Sequence, residues 1–216
     1  MPRATEGNCY LCGKALSKTD FKKHLLSAHG CESADRQSCV LIEVEDAYQK
    51  AYWLYLDMPL SSSLKTLDSF LRKIWLECCG HMSAFSTNDG REISKATKVG
   101  DLLPGCTLLY EYDFGNTTEL RISVVSRSLL PSRRGVRLLG RNIPPDFVCR
   151  VCGAQAEFFC CECDAMRENP FFCEECLSRH EHDYALPVVN SPRMGVCAYC
   201  GENDIYEFDP SLLKST

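Results

Sequence analysis

Residues 149–182 read CRVCGAQAEFFCCECDAMRENPFFCEECLSRHEH and contain three Cys-x2-Cys pairs followed by two histidines. A gap of two residues lets one tight turn direct both thiolates of a pair at a single metal ion. A segment this short cannot bury enough apolar surface to fold alone, so metal binding has to supply the missing free energy. The stretch therefore predicts a small module that is held together by zinc.

The order of the pairs predicts a cross-brace, in which alternating pairs share a metal ion. The first and third pairs would build one site, and the second pair would build another with ligands from later in the chain. Two closures of the second site are possible. In the B-box-like one, which we prefer, the two histidines supply the remaining ligands, and in the RING-like one a later Cys-x2-Cys pair supplies them. The predicted ligands are Cys149, Cys152, Cys173 and Cys176 in the first site and Cys160, Cys163, His180 and His182 in the second, with Cys197 and Cys200 as the alternative closure. Cys161 breaks the two-residue spacing and is predicted to be a spare cysteine.

Residues 1–36 contain a different metal motif, in which a Cys-x2-Cys pair precedes two histidines. Leu16 and Phe21 supply the two apolar residues that a minimal zinc finger packs beneath its helix. Phe21 lies three residues before the first histidine and shares a helical face with it. The pattern is typical of a two-Cys, two-His zinc finger. The predicted ligands are Cys9, Cys12, His24 and His29, with Cys31 as an alternative to His29.

Basic residues are concentrated in the finger helix and in one later segment. Residues 127–141 read RSLLPSRRGVRLLGR and contain five arginines and no acidic residue. Such clusters attract a phosphate backbone, although a single finger covers only about 3 bp of DNA. The alternative interpretation of the arginines is a solvated linker. The predicted nucleic-acid contacts are Lys18, Lys22, Lys23, Arg133, Arg134 and Arg137.

The stretch between these basic segments predicts an α+β domain with an antiparallel sheet packed on one main helix. Alternating apolar residues indicate strands, and apolar residues at three- and four-residue steps indicate an amphipathic helix. The strands are predicted at 40–45, 51–58 and 81–87 and in a hairpin at 107–126, and the helix at 61–79. The chain then divides into a finger (1–36), the α+β domain (37–128), an arginine-rich linker (129–147) and a multi-zinc cross-brace module (148–216).

Three segments of the chain resemble a known family. FLRKIWLECCGHMSAF (70–85), LLYEYDFGNTTEL (108–120) and LLGRNIPP (138–145) are similar to the Ri-plasmid ORF-three-like proteins of prokaryotes, which are also described as insertion-element passenger proteins. The likeness extends over residues 40–200 or so. It implies this α+β fold and a prokaryotic, mobile-element-associated origin. Some descriptions of the family use the word resolvase, but this sequence contains no recombinase-like catalytic constellation.

Cys78, Cys79 and His81 are the candidates for catalysis. A thiol beside an imidazole can act as nucleophile and base, or as half of a metal site. Cys78 also continues the apolar stripe of the predicted helix, and a free cysteine is commonly a small buried apolar residue. No paired carboxylates, phosphate-binding loop or nucleophile elbow accompanies the three residues, so we predict that the protein is not an enzyme.

Charge and cysteine usage narrow the class of protein. The 216-residue chain has a net charge of −5, and from residue 142 onward thirteen acidic residues stand against five basic ones. The C-terminal module should therefore repel phosphate and bind protein. The sequence predicts no signal peptide and no membrane span, and its sixteen cysteines suit zinc binding in the reducing cytoplasm. We predict a cytoplasmic zinc-binding adaptor with three zinc ions, a protein partner and contacts to DNA or RNA. The alternatives are a zinc-supported enzyme that uses Cys78, Cys79 or His81, and a RING-like ligase module.

Overall fold

Nine antiparallel strands form the central sheet in a computed structural model, which describes residues 6–30, 38–128, 135–201 and 206–213. The strands are β1 (Glu6–Cys9), β2 (Ala15–Ser17), β3 (Cys39–Asp46), β4 (Trp53–Pro59), β5 (Ser83–Thr87), β6 (Glu92–Ile93), β7 (Thr107–Tyr112), β8 (Thr118–Ser128) and β9 (Arg137–Asn142). Their order across the sheet is β2-β1-β9-β4-β3-β8-β7-β5-β6. The predicted α+β class with a largely antiparallel sheet is confirmed.

Strand β4 is buried on both faces of this sheet. Leu54 and Leu56 face the main core, whereas Trp53 and Tyr55 face a second apolar cluster that includes residues of the finger. Successive side chains of a strand point to opposite faces, so a strand that is covered on both faces carries large apolar residues at every position. Strand β7 has less cover on one face and alternates buried with half-buried positions.

The helices differ from the prediction of one main helix. Helix α1 (Lys18–Ala28) belongs to the finger and is longer than α2 (Leu64–Leu71), which packs on the central sheet. Helix α2 continues into a π-helical turn, Arg72–Leu76, instead of reaching residue 79 as an α-helix. The last three residues of this turn, Ile74, Trp75 and Leu76, are all buried, and the wider turn directs all three toward apolar surroundings. Short 3-10 turns lie at Val99–Asp101 and Pro210–Leu212.

Part of the predicted linker 129–147 is a strand of the central sheet. Strand β9 lies between β4 and β1, and Leu139 in this strand is fully buried. Arg137 donates from two guanidinium nitrogens to the carboxylate of Asp57 on β4. The sequence suggests that the charge of Arg137 is solvated. Because the bidentate pair with Asp57 neutralises this charge, β9 can join the sheet. Residues 129–134 lie outside the described part of the chain.

The finger packs directly on the sheet. Strand β1 pairs with β9, and the ring of Phe21 on α1 stacks on Tyr55 at 5.3 Å and meets Trp53 edge-on at 5.1 Å. Gly140 on β9 makes this approach feasible, because a Cβ at that position would lie 2.1 Å from the Phe21 ring. The finger and the sheet therefore share one apolar cluster.

The C-terminal module contains a three-stranded sheet and two short helices. Its elements are β10 (Phe158–Cys160), α3 (Cys161–Ala165), β11 (Phe171–Phe172), α4 (Glu174–Leu177) and β12 (Ala185–Pro187), with strand order β11-β10-β12. Phe147 stacks on Phe171 at 4.3 Å, and Phe172 packs with Cys160 and Cys163. The apolar cluster is small, as the sequence predicts for a metal-stabilised module.

The segment after β12 returns to the central domain. Ser191 donates its hydroxyl to the carbonyl of Trp75 at 2.6 Å, and Asn142 donates its amide to Asn190 at 2.6 Å. These hydrogen bonds are buried or partly buried, so they fix the position of this segment. Among the described residues, no helix has the length and apolar character needed to cross a membrane.

Candidate metal centres

The N-terminal centre brings together the four predicted finger ligands. Cys9 ends β1, Cys12 follows in the next turn, His24 lies on α1, and His29 caps the C-terminus of α1. The Cys12 Sγ is 3.3 Å from His24 Nε2, the Cys9 Sγ is 3.5 Å from His29 Nε2, and the two Nε2 atoms are 3.2 Å apart. All four donor atoms lie within 4.8 Å of one another, so one ion can contact all of them.

The same turn presents the cysteines in two of the centres. At Cys9, the backbone N–H donates to the carbonyl five residues later at 2.9 Å, and the N–H of Gly13 donates back to the Cys9 carbonyl at 2.7 Å. At Cys149, the corresponding bonds measure 2.7 Å and, from Gly153, 2.9 Å. Both glycines have positive φ, +78° and +74°, which favours glycine at the position after the second cysteine. The motif Cys-x2-Cys-Gly thus specifies the shape of the turn.

The electrostatics of the finger site suit a bound cation. Burial lowers the pKa of His24 and of His29, which keeps both imidazoles neutral and able to bind metal through Nε2. Burial also raises the pKa of the Cys9 thiol to about 11. A thiolate at this position needs a compensating positive charge, which a metal ion would provide.

The first C-terminal centre is formed entirely by cysteines. Cys149 and Cys152 lie on one turn, and Cys173 and Cys176 flank the first turn of α4, with Cys152 Sγ 3.6 Å from Cys173 Sγ. Burial raises the pKa of Cys149, but hydrogen bonds from the backbone N–H groups of Cys152, Cys173 and Val151 outweigh burial and lower it to about 6. These donors hold a thiolate in the place where a metal would bind it.

The second C-terminal centre has the histidine closure that the sequence favours over the RING-like one. Cys163 Sγ lies 3.2 Å from His180 Nε2, and Cys160 Sγ lies 3.5 Å from His182 Nδ1. The two histidine nitrogens are 3.1 Å apart. His180 presents Nε2 and His182 presents Nδ1, so the short spacing between them still allows both to face one point. The first and third Cys-x2-Cys pairs thus form one group, and the second pair forms the other with the two histidines, as in a cross-brace.

The remaining cysteines occupy different surroundings. Cys161 Sγ lies 3.8 Å from the Gly195 carbonyl and belongs to none of the metal-competent groups among the described residues. Cys200 is exposed and likewise joins none of these groups, whereas Cys31 lies outside the described residues. Cys197 joins a fourth group, which the sequence did not predict: Cys78, Cys79, His81 and Cys197.

Four Cys/His groups in the described parts of the chain can therefore hold metal ions, and their donor sets fit zinc. Zinc bound at about 2.3 Å from sulfur in a tetrahedron separates two thiolates by about 3.8 Å. The sulfur–sulfur distance of 3.6 Å between Cys152 and Cys173 and the sulfur–nitrogen distances of 3.2–3.5 Å are close to tetrahedral edges. Four protein ligands fill such a coordination sphere, which is the arrangement of structural zinc and leaves no position for substrate.

The lysines predicted to contact nucleic acid fall into two groups. Lys18 pairs with Glu43 at 3.5 Å and also with Glu45, so its charge is balanced by the sheet. Lys22 and Lys23 are exposed on α1, on the side away from the buried Phe21. These two lysines are therefore available to a phosphate backbone.

The predicted arginines are only partly described. Arg137 is paired with Asp57 within the sheet, which leaves little of its charge for a ligand. Arg133 and Arg134 lie outside the described residues, and their contact with nucleic acid stays a prediction.

Comparison with known proteins gives no functional assignment. No protein-family model matches the chain, and no curated protein matches it significantly. Among solved structures, a protein of unknown function, MM3350, from Methanosarcina mazei Go1 is similar, with 12% identity and a TM-score of 0.41. The alignment covers 54% of this chain and 75% of that one.

Proposed function

We propose that the protein is a non-enzymatic zinc-binding adaptor. Its finger and the arginine-rich segment contact nucleic acid or a ribonucleoprotein, and its acidic cross-brace module contacts protein. The observation that carries the proposal is the separation of exposed charge. Exposed Lys22 and Lys23 lie on α1, and the cross-brace module exposes a set of acidic residues: Glu162, Asp164, Glu174, Glu181 and Asp183.

Closed metal sites support a binding role in preference to catalysis. Each predicted centre has four protein donors, and such zinc stabilises a surface without reacting. A reducing cytoplasm would keep the thiols available for zinc. A single finger that is rigidly packed on a sheet offers a small contact area, so a second basic segment would have to extend it.

The nucleic-acid half of the proposal is tested by the salt dependence of binding. The zinc-loaded full chain is titrated with a labelled DNA duplex and with an RNA hairpin, and anisotropy is measured at increasing salt. We expect steep weakening with salt, because bound lysines and arginines release counterions from phosphate. Lys22→Ala/Lys23→Ala should lower the slope of log K against log salt by about 1.5 to 2, and Arg133→Ala/Arg134→Ala by a similar amount.

The matched control is Lys50→Ala/Lys65→Ala, which removes two exposed lysines far from the finger helix in sequence. This control should keep the slope of the wild type. An absence of binding to either nucleic acid at the lowest salt would overturn the nucleic-acid role.

The protein half is tested by capture of partners from nuclease-treated lysate. Glu174→Lys/Glu181→Lys reverses two exposed charges of the acidic module and should abolish capture, whereas Glu92→Lys on β6 should not. Equal capture by the wild type, by Glu174→Lys/Glu181→Lys and by Glu92→Lys would refute the role of the acidic surface.

A further inference from the structure

We infer that Cys78, Cys79, His81 and Cys197 form a fourth zinc site, which fastens the segment after β12 to the central sheet. The first three donors follow the π-helical turn Arg72–Leu76, and Cys197 comes 118 residues after Cys79. None of the four belongs to the three centres of the proposed function, so the inference stands independently of that function.

The four donor atoms converge on one point, with sulfur–sulfur distances somewhat shorter than the tetrahedral edge of about 3.8 Å. Cys79 Sγ lies 3.2 Å from Cys197 Sγ, 3.2 Å from His81 Nε2 and 3.4 Å from Cys78 Sγ. Cys197 Sγ lies 3.7 Å from His81 Nε2. All four atoms lie within 4.8 Å of one another, as in the three predicted centres. Three thiols and one imidazole are a donor set that selects zinc among the common divalent ions.

Asp113 orients the histidine of this site. Its Oδ1 lies 3.5 Å from His81 Nδ1, while Nε2 of the same ring faces the thiols. A carboxylate on this side of the ring favours the tautomer that leaves Nε2 free, an arrangement typical of zinc-bound histidines. Asp113 also serves the β7–β8 turn, where its Oδ1 accepts a hydrogen bond from the Gly115 N–H at 3.0 Å.

Arg193 supports the same site with its positive charge. The side chain is fully buried, and its Nη2 donates to Asp113 Oδ2 at 2.7 Å and approaches Cys78 Sγ at 3.5 Å. Its Nη1 donates to the Asn116 carbonyl and the Thr118 hydroxyl, both at 3.1 Å. A buried guanidinium needs anionic partners, and a thiolate at Cys78 beside Asp113 meets that need. Three thiolates with zinc carry one net negative charge, which complements this arginine.

Hydrogen bonds that do not involve the donor atoms hold the loop that carries the first three donors. Gly80 has φ +76°, and its N–H donates to Glu77 Oε1 at 2.6 Å. Arg72 donates from Nη2 to the His81 carbonyl at 2.5 Å and from Nη1 to Glu77 Oε2 at 2.8 Å. A preorganised loop loses less entropy when its donors bind an ion.

Exposure distinguishes the fourth site from the other three. Cys79 and Cys197 are exposed, and Cys78 and His81 are half-buried, whereas the finger and both cross-brace centres each contain a buried cysteine. An ion at this surface is accessible to chelators and to competing thiols. We therefore expect the fourth site to lose zinc before the others, with release of the exposed turn that carries Cys197.

Metal counting on the full-length protein tests the inference. Native mass spectrometry after zinc loading should find four zinc ions per wild-type chain, one for each donor group. Cys197→Ser and His81→Ala should each bind one ion fewer. Cys200→Ser and Cys161→Ser are matched controls, because each removes a cysteine outside the four groups, and both should keep the wild-type count.

Anomalous scattering at the zinc edge from wild-type crystals avoids the risk that a variant misfolds. We expect a peak within bonding distance of the Cys78, Cys79, His81 and Cys197 donors. Three ions in the wild type, or a disulfide between Cys79 and Cys197, would overturn the inference. Loss of an ion in Cys200→Ser but not in Cys78→Ser would overturn this ligand set.

Discussion

The central sheet and the cross-brace module reach an ordered state by different means. The sheet buries large aromatic and aliphatic side chains on both faces of β4, among them Trp53, Tyr55 and Leu56. The core of the module is Cys160, Cys163 and Phe172, and the two cysteines are predicted metal ligands. Burial stabilises by about 25 cal/mol per Å² of apolar surface, which is sufficient for the sheet and insufficient for the module.

This difference implies that the two regions respond to different perturbations. Metal removal should act on the module and leave the sheet folded, whereas a cavity in the sheet should lower its stability and leave metal binding intact. Zinc removal, a cavity in the core and titration of a buried carboxylate each probe one of the two regions, in decreasing order of expected effect.

Chelation of zinc should unfold the cross-brace module. Structural zinc in finger peptides contributes about 10–16 kcal/mol, far more than this small apolar cluster can replace. Hydrogen exchange should show loss of amide protection in β10, β11 and α4 and retention in β3, β4 and β8. Re-addition of zinc serves as the control and should restore protection. Simultaneous loss of protection in both regions would show that they do not fold separately.

A cavity in the main core should destabilise the sheet. Leu67 on α2 is fully buried in the main core, so Leu67→Ala should lower the free energy of unfolding by about 3 kcal/mol. Denaturant unfolding of the zinc-loaded protein measures the change, and zinc content should stay at the wild-type value. Leu103→Ala is the control, because Leu103 is 72% exposed, and it should change stability by less than about 0.5 kcal/mol. A parallel loss of zinc in Leu67→Ala would contradict the separation.

Asp68 should make the stability of the sheet domain depend on pH. Burial raises the pKa of this carboxyl, but hydrogen bonds from Ser83 at 2.6 Å, Tyr110 at 2.8 Å and Lys95 at 3.2 Å outweigh burial and lower the pKa. A lowered folded pKa stabilises the protein above the unfolded value of about 3.9, and the gain is lost as the pH falls through the folded pKa. At pH 7, Asp68→Asn should cost about 2 kcal/mol.

The difference in stability between wild type and Asp68→Asn should be constant from neutral pH to about pH 5 and shrink at lower pH. Both proteins lose zinc in acid alike, so the difference isolates Asp68 from the metal sites. Asp101→Asn, at an exposed position, should show no such trend. A difference that stays constant down to pH 3 would contradict the assignment.

The sequence predicts local features of this molecule better than long-range pairings. The hydrophobic alternation of β3 and of the β7–β8 hairpin, and the turns at Cys9 and Cys149, depend on residues close in the chain. Strand β9 was missed because its arginines suggest a solvated segment. The partner that neutralises Arg137 is Asp57, 80 residues away, and no local pattern reveals it.

The metal sites show the same division. The finger ligands and the cross-brace ligands lie within short segments, so their spacing predicts which of them meet. The sequence revealed only part of the fourth group, because Cys78, Cys79 and His81 suggested a catalytic cluster or an incomplete metal site. Its fourth donor comes from a distant turn, and the Cys-x2-Cys-Gly motif at residues 197–201 was the available signal.

The pairing of β1 with β9 also has a consequence for where the chain can be shortened. Without residues 6–30, β9 would become an unpaired edge with free N–H and C=O groups, beside the uncovered rings of Trp53 and Tyr55. An exposed edge next to apolar surface invites pairing with a second copy. The finger covers this edge and these rings, so we expect a chain shortened by residues 6–30 to self-associate.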